Sequence, residues 1–169
     1  MPFFLSVITS PRNFDGEQAL IERMFELNLE NLFVRKPNLS KDLIEQWILG
    51  INSKWREKIL PWQGSAHSFE ELKEMGNREI VLLSPVFDSI SKRGYKSKFS
   101  KEELKAGISE WRRFMGEGSG TKLYALGGIN AENVGELREV GFDGASVLGG
   151  VWNCADQVAA FKSILSAML

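Results

Sequence analysis

The stretch REIVLLSPVFDSISKRGYKSK, residues 78–98, decides how the rest of the chain is interpreted. Its apolar run, residues 80–83, is short and half β-branched, which predicts a strand buried on both faces. Pro85 has no N–H and ends the pairing, and hydroxyl and basic side chains follow it. In α/β proteins ligands bind at the carboxyl ends of parallel strands. The stretch therefore predicts either a ligand-binding loop at a strand end or a solvated surface loop.

Length and composition narrow the class of protein. The chain has 169 residues and a net charge of −1, which fits one domain and gives no argument for binding nucleic acid or membranes. One cysteine, Cys154, excludes a disulfide within the chain, and one histidine, His67, excludes a His-rich metal cage. The sequence has no basic signal-peptide region and no apolar run near the roughly 20 residues of a membrane span. A cytoplasmic location is therefore expected.

Strands and helices are predicted to alternate along the whole chain. Apolar runs predict strands at residues 3–9, 32–34, 80–83, 122–126 and 145–148, with a further short one before His67. Apolar stripes predict helices between them, with expected N-caps at Ser40, Ser68, Ser100 and Asn130. This alternation predicts a parallel sheet with helical crossovers, either a barrel or an open sheet. No linker interrupts it, so residues 1–169 are expected to form a single domain.

Two glycine pairs are the best clue to a ligand. Gly127-Gly128 and Gly149-Gly150 each follow one of the last two predicted strands. In a (βα)8 barrel the loops after strands seven and eight often build a phosphate site. Glycine lets the backbone approach a phosphate, and a following helix N-terminus offers free N–H groups. The alternative is that these glycines only permit tight turns.

Basic and hydroxyl side chains are predicted on the same rim. Arg35 and Lys36 follow the strand at 32–34, and Ser89, Ser91 and Lys92 follow the strand at 80–83. Together they would hold a diphosphate and stabilise it as a leaving group. For each cation, solvated surface charge is the alternative.

Two further side chains leave alternatives open. His67 ends a short strand, where a histidine acts as a general acid or base, as a phosphate donor, or only in a structural hydrogen bond. Asp88 would be a cap, a turn former or a metal ligand.

These motifs resemble those of the thiamine phosphate synthase family and its thiazole tautomerase relatives. The resemblance rests on LFVRKP at 32–37, GSAHS at 64–68, VLLSPVFDSISK at 81–92, LYALGGI at 123–129 and GASVLGGV at 144–151. It implies an α/β fold, a TIM-barrel-like (βα) barrel of parallel strands. It also implies a transferase of thiamine biosynthesis, which joins hydroxymethylpyrimidine diphosphate to thiazole phosphate with Mg2+ and releases pyrophosphate.

The resemblance further implies residue roles. The pyrophosphate would be held by Arg35, Ser65, Ser89, Ser91 and Lys92. The thiazole phosphate would be held by Gly128, Gly149 and neighbouring backbone. In the tautomerase relatives, a histidine matching His67 transfers a proton on the thiazole carboxylate phosphate.

The chain departs from the family in its middle. The family's R-x-K motif is Arg35-Lys36-Pro37 here, which leaves the lysine position open. Before His67 the family has two βα units whose Asp and Asn side chains bind Mg2+ and the pyrimidine, but only about residues 58–64 remain here. Roughly 30 residues are lacking against a typical barrel of about 200, and no metal ligands can be named. Six strands are legible, or seven if 59–62 is one.

Three explanations of the short middle stay open: a reduced barrel, a barrel completed by homo-oligomerisation, or a sequence that lacks part of the chain. Three functions follow from them. The first is the synthase. The second is a tautomerase, which needs a phosphate site and His67 but no Mg2+. The third is a non-catalytic phosphate-binding relative. The expected ligands are small phosphorylated pyrimidine and thiazole compounds, with no nucleic-acid or membrane partner.

Overall fold

The computed structural model describes residues 1–89 and 96–169. Within them, six strands form one sheet: β1 (Phe4–Ile8), β2 (Asn31–Val34), β3 (Ile59–Pro61), β4 (Ile80–Leu83), β5 (Lys122–Leu126) and β6 (Gly144–Val147). The strand order is β3-β2-β1-β6-β5-β4, and every neighbouring pair is parallel. The predicted fold class is confirmed: a curled, TIM-barrel-like α/β sheet that is incomplete.

Helices follow the strands along the chain. They are α1 (Glu17–Glu26), α2 (Lys41–Leu49), α3 (Phe69–Glu74), α4 (Lys101–Met115), α5 (Glu136–Val140), α6 (Gly149–Trp152) and α7 (Gln157–Ala167), with a 3-10 helix at Ser53–Lys58. None of those in the described part of the chain has the length and apolar character needed to cross a membrane.

The predicted N-caps explain where most of these helices begin. Ser100 and Glu103 form a complete capping box at α4, with N–O distances of 2.7 and 3.1 Å. Ser40 caps α2 by accepting a hydrogen bond from the Leu43 N–H. The predicted N-cap at Asn130 is wrong, because no helix begins there. The Asn130 side chain accepts a hydrogen bond from Glu132 N at 2.8 Å within a turn, and α5 begins only at Glu136.

Strand alternation separates an outer core from an inner one. Leu5 and Val7 of β1 pack under the helices, whereas Ile8 joins Phe33, Leu82 and Tyr124 in a separate cluster inside the curl. Successive side chains of a strand point to opposite faces, so each strand contributes to both cores. The inner side chains form the floor beneath the carboxyl ends of the strands.

The sheet ends at β3 on one side and at β4 on the other. The strand that the sequence left open within 59–62 does form, as β3. The strand expected before His67 does not form, and only a single bridge joins Ala66 to Leu83. In the described part of the chain the sheet therefore has six strands. Ala66 N donates to Leu82 O at 2.8 Å, and Ser84 N donates to Ala66 O at 2.9 Å. Among the described residues, four residues of irregular chain connect β3 to this bridge where further barrel strands would stand.

Candidate functional site

A cavity of about 450 Å³ opens at the carboxyl ends of the strands. Residues from, or directly after, all six strands line it, which is possible because the sheet curls around its inner core. The polar and glycine positions of its wall are Arg35, Gly64, Ser65, His67, Ser84, Ser89, Gly127, Gly128, Ser146, Gly149 and Gly150. This is the edge at which parallel sheets present their ligand sites.

Most of the residues predicted for the site meet in this cavity. Its wall includes Arg35, Ser65, His67, Ser89, Gly127, Gly128, Gly149 and Gly150. Ser91 and Lys92 lie outside the described residues, so their predicted roles stay predictions. Lys36 is the one described residue of the predicted set that the structure does not bring to the cavity.

Lys36 points to the other face of the sheet because it follows Arg35 directly in an extended segment. Its ammonium group donates to Glu17 Oε2 at 2.5 Å and to Ser10 O at 2.8 Å, and both charged side chains are at most 1% exposed. Burial raises the pKa of Glu17, and the hydrogen bond and charge of Lys36 oppose that rise. Lys36 therefore anchors α1 against β2 and does not contact a ligand in the cavity.

His67 is the one histidine of the chain, and its side chain lines the cavity. Its Nδ1 lies 3.0 Å from Ser84 O, and a carbonyl can only accept, so Nδ1 carries the proton in this hydrogen bond. The neutral ring then has its lone pair on Nε2. The backbone N–H of His67 donates to Glu71 Oε2 at 2.7 Å, which fixes the residue at the start of α3. This arrangement fits a general base held in one tautomer.

Glu71 contributes both to the start of α3 and to the support of His67. Ser68 does cap α3, because its hydroxyl accepts a hydrogen bond from Glu71 N at 3.1 Å. The carboxylate of Glu71 accepts from His67 N and not from Ser68 N. The cap of this helix is thus combined with the support of the cavity histidine.

Arg35 brings a cation to the cavity beside an aromatic ring. The guanidinium carbon lies 5.3 Å from the ring centroid of Trp62. The Thr9 hydroxyl fixes the backbone of Arg35 by two hydrogen bonds: it accepts from the Arg35 N–H and donates to the Arg35 carbonyl. Within the described residues, the guanidinium has no ion pair and no hydrogen bond. A cation fixed in this way is available to an anionic ligand.

The glycine pair after β5 is required by packing as well as by any ligand. Gly128 has φ +67, and a Cβ there would lie 2.2 Å from Asp88 O. Gly127 has φ +100, and its Cβ would lie 2.8 Å from Cα of Pro85. The loop after β4 therefore packs directly on this pair, so the tight-turn alternative accounts for part of the pattern.

The second glycine pair forms the first turn of α6. The first N–H groups of a helix have no acceptor within it, so Gly149 and Gly150 present backbone donors at the cavity wall. Gly150 also approaches Ile129 O so closely that a Cβ would lie 2.2 Å from it. This geometry brings the loops after β5 and β6 together at one side of the cavity.

Sequence reasoning missed several wall residues. Ser146 lies on the inner face of β6, where its hydroxyl shares a short hydrogen bond with the Ser6 hydroxyl. Trp62 follows the short strand β3 and also lines the cavity. Period-two alternation would have indicated both, since Gly144, Ser146 and Leu148 share one face, as do Leu60 and Trp62.

Asp88 does not line this cavity. Its Oδ1 accepts a hydrogen bond from Ser97 N at 2.8 Å, and it lies in a neighbouring surface pocket with Asn130 and Asn133. Asp88 therefore joins the two ends of the segment after β4. This loop contact is none of the three roles left open from the sequence, which were a cap, a turn former and a metal ligand.

Mg2+ sites in proteins use carboxylates together with substrate phosphates. The described lining contains no Asp or Glu side chain, and residues 90–95 include none in the sequence. No group of three or more His, Cys, Asp or Glu side chains that could hold a metal occurs in the described part of the chain. The protein donors at the cavity therefore do not fit a protein-held Mg2+ ion.

The chain is similar in sequence and in structure to known thiamine phosphate synthases. No family model matches it. Over 110 residues it is 27% identical to a thiamine-phosphate synthase of Prochlorococcus marinus; the match covers 62% of this chain and 28% of that protein's length. The chain thus spans less than a third of this curated relative.

Solved structures match over nearly the full chain. A thiamine phosphate pyrophosphorylase from Bacteroides thetaiotaomicron is 26% identical with a TM-score of 0.74, over 98% of this chain and 97% of that one. A thiamine phosphate pyrophosphorylase from Pyrococcus furiosus has a TM-score of 0.76 at 16% identity, over 98% and 95% of the two chains, and supports the fold alone. Together these matches confirm the resemblance to the thiamine phosphate synthase family.

Proposed function

We propose that this relative of the thiamine phosphate synthases acts in thiamine biosynthesis as an isomerase of the thiazole tautomerase type. The observation that carries the proposal is His67, which lines the cavity with Nδ1 bonded to Ser84 O at 3.0 Å. The neutral ring then keeps its Nε2 lone pair for the ligand. The cavity also has two glycine loops, the Arg35 guanidinium, which has no ion pair with any described residue, and no described carboxylate, which together suit an anionic substrate.

The proposed substrate is a small thiazole phosphate. Its phosphate would lie against the glycine loops, where Gly149 and Gly150 offer backbone N–H groups. A second anionic group would face Arg35. A ligand bound at both ends would present its ring to His67, which lies on the β4 side of the cavity.

The reaction would be a proton shift within the substrate. Nε2 of His67 removes a proton from one ring-associated carbon, and the electron pair of that C–H bond moves into the conjugated system. The resulting imidazolium returns the proton at a second atom of the same system. Atoms and charge balance without a co-reactant, and the Ser84 carbonyl stabilises the imidazolium through Nδ1–H.

His67→Gln tests this mechanism because it keeps a polar side chain but removes the base. General acid–base catalysis contributes about 10²- to 10⁴-fold, so turnover should fall by at least about 100-fold. Isomerisation of the thiazole carboxylate phosphate would be followed by NMR in D2O, together with deuterium incorporation, with and without EDTA. The affinity for inorganic phosphate, measured by calorimetry, should stay unchanged in the variant.

Two results would contradict the isomerase proposal. One is full turnover in His67→Gln. The other is an activity that EDTA abolishes while the folded state is unaffected. A folded sample that binds phosphate but never turns the substrate over would instead support the non-catalytic alternative.

The synthase reaction is the second candidate, and the similarity to thiamine phosphate synthases favours it. Arg35, Ser65 and Ser89 would then hold a diphosphate at the cavity rim. The test is release of pyrophosphate when the protein is mixed with hydroxymethylpyrimidine diphosphate, thiazole phosphate and Mg2+. For either reaction, the proposed partners are small phosphorylated compounds, and the proposed location is the cytoplasm.

A further inference from the structure

Trp62 stands where the incomplete sheet leaves the cavity without a strand. It directly follows β3, the last strand on this side, and its side chain is half-buried and lines the cavity. From here the chain crosses to Ala66, which pairs with the far end of the sheet at Leu83. Among the described residues, Trp62 therefore supplies the aromatic surface on the side of the cavity where the sheet has no further strand.

Sheet register brings Trp62 to Arg35. Phe33 is paired with Leu60, and Val34 is paired with Pro61, so the next residues along the two strands are Arg35 and Trp62. Directly opposed side chains on one face of a sheet come within contact distance. The observed separation of 5.3 Å between the guanidinium carbon and the ring centroid fits this cross-strand pairing.

Phe33 supports the ring from below. Its side chain is only 6% exposed, and its ring meets Trp62 edge to face with a centroid distance of 6.4 Å and an interplanar angle of 85°. The indole is thus held by the inner core on one side and carries the guanidinium on another. Cation–π contacts of this kind favour Arg and Trp.

We propose that Trp62 is a positioning residue, which holds the Arg35 guanidinium over the cavity for the anionic end of the ligand. This inference rests on the proposed phosphate-binding function. An arginine in a ligand site is usually oriented by a carboxylate, and no described carboxylate lines this cavity. An aromatic face orients the guanidinium without neutralising it, so the full positive charge remains available to the ligand.

A double-mutant cycle tests this coupling. The variants are Trp62→Leu, Arg35→Gln and both together, with the affinity for inorganic pyrophosphate measured by calorimetry. Exposed to half-buried cation–π contacts correspond to about a two- to fivefold change in affinity, so Trp62→Leu should weaken binding by about that factor. In the Arg35→Gln background, Trp62→Leu should have no further effect.

Trp62→Phe is the conservative variant and should recover most of the affinity, because it restores an aromatic face. Trp55→Phe is the matched control. Trp55 is also half-buried, with Lys54 Nζ 4.7 Å from its ring centroid, but it lies outside the cavity wall. Its substitution should change stability alone and leave pyrophosphate affinity unaltered.

The outcomes separate this inference from the proposed function. If the wild-type protein is folded and binds no pyrophosphate or phosphate, the proposed function itself fails. If it binds, and Trp62→Leu has no effect or is additive with Arg35→Gln, the positioning role is overturned. If Arg35→Gln leaves affinity intact, the role is overturned as well. Should Trp62→Leu not fold, Trp62→Met and Trp62→Gln in the two Arg35 backgrounds supply the same cycle, because both also remove the aromatic face.

Discussion

Lys36→Met is expected to destabilise the fold strongly without acting on the cavity. The side chain has a similar length but loses the charge, which leaves the Glu17 carboxylate buried opposite an apolar group. Glu17 is 1% exposed, and its other oxygen accepts a hydrogen bond from Ser10 N at 2.9 Å. The carboxylate can therefore neither reach water nor rotate towards a new partner.

The expected size follows from this burial. Removing one partner of a buried ion pair costs about 3–5 kcal/mol, because the remaining charge is left uncompensated. A domain of this length has a free energy of unfolding of roughly 5–15 kcal/mol, so the loss is a large fraction of it. With a urea m-value of about 2 kcal/mol/M, the midpoint should fall by roughly 1.5–2.5 M.

Urea denaturation followed by tryptophan fluorescence measures this change. Replacing both partners, in Lys36→Met with Glu17→Leu, should restore most of the stability, since an apolar pair of similar size is often tolerated. The affinity of the double variant for inorganic phosphate should equal that of the wild type. A midpoint within about 0.3 M of wild type for Lys36→Met, or lost phosphate binding in a folded double variant, would refute the reasoning.

Two other substitutions test the inner core and the glycine loop. Tyr124 is fully buried, its hydroxyl has no partner among the described residues, and burial raises its pKa above the ordinary value. In the unfolded chain the Tyr124 hydroxyl loses its proton at about pH 10, whereas in the folded chain its pKa lies higher. The free energy of unfolding should therefore decrease as the pH rises above about 10. Tyr124→Phe should remove that loss in urea titrations between pH 8 and 11, and an unchanged slope would contradict the assignment. Gly128→Ala should lower the free energy of unfolding by at least about 2 kcal/mol, because left-handed backbone strain adds to the close contact with Asp88 O. Gly118→Ala is the control, since Gly118 has φ +90 but open space around it, and should show the strain alone. Equal losses of stability in the two variants would exclude the clash.

Much of the fold was predictable because local chemistry and the final structure agree. The buried run at β4, the Pro85 stop and the capping box of Ser100 and Glu103 each depend on neighbouring residues only. The glycine pairs after β5 and β6 were likewise correctly placed at the cavity, since parallel strands bring their carboxyl ends to one edge. These features carry their own signal in the sequence.

The errors arose where a residue's role depends on which face it occupies. Arg35 and Lys36 are adjacent cations after the same strand, so their side chains point to opposite faces of the sheet. Because the Arg35 side chain points to the cavity beside Trp62, the Lys36 side chain is buried beneath α1. The start of α5 depended on Asn130 closing a turn with Glu132 in place of a helix. Composition and spacing do not contain this information, because the choice is made by the packing of distant elements.

Trp62 shows how the short middle of the chain alters the chemistry of the site. In a complete barrel, further strands would follow β3 and add side chains to this wall, whereas here the chain turns directly to Ala66. Among the described residues, this wall presents the Trp62 indole with the Arg35 guanidinium beside it, followed by Gly64 and Ser65, and no carboxylate. Such a wall attracts an anion and offers nothing to a divalent cation. For that reason we propose a reaction that needs a bound phosphate and one base, and not a reaction that needs a protein-held metal ion.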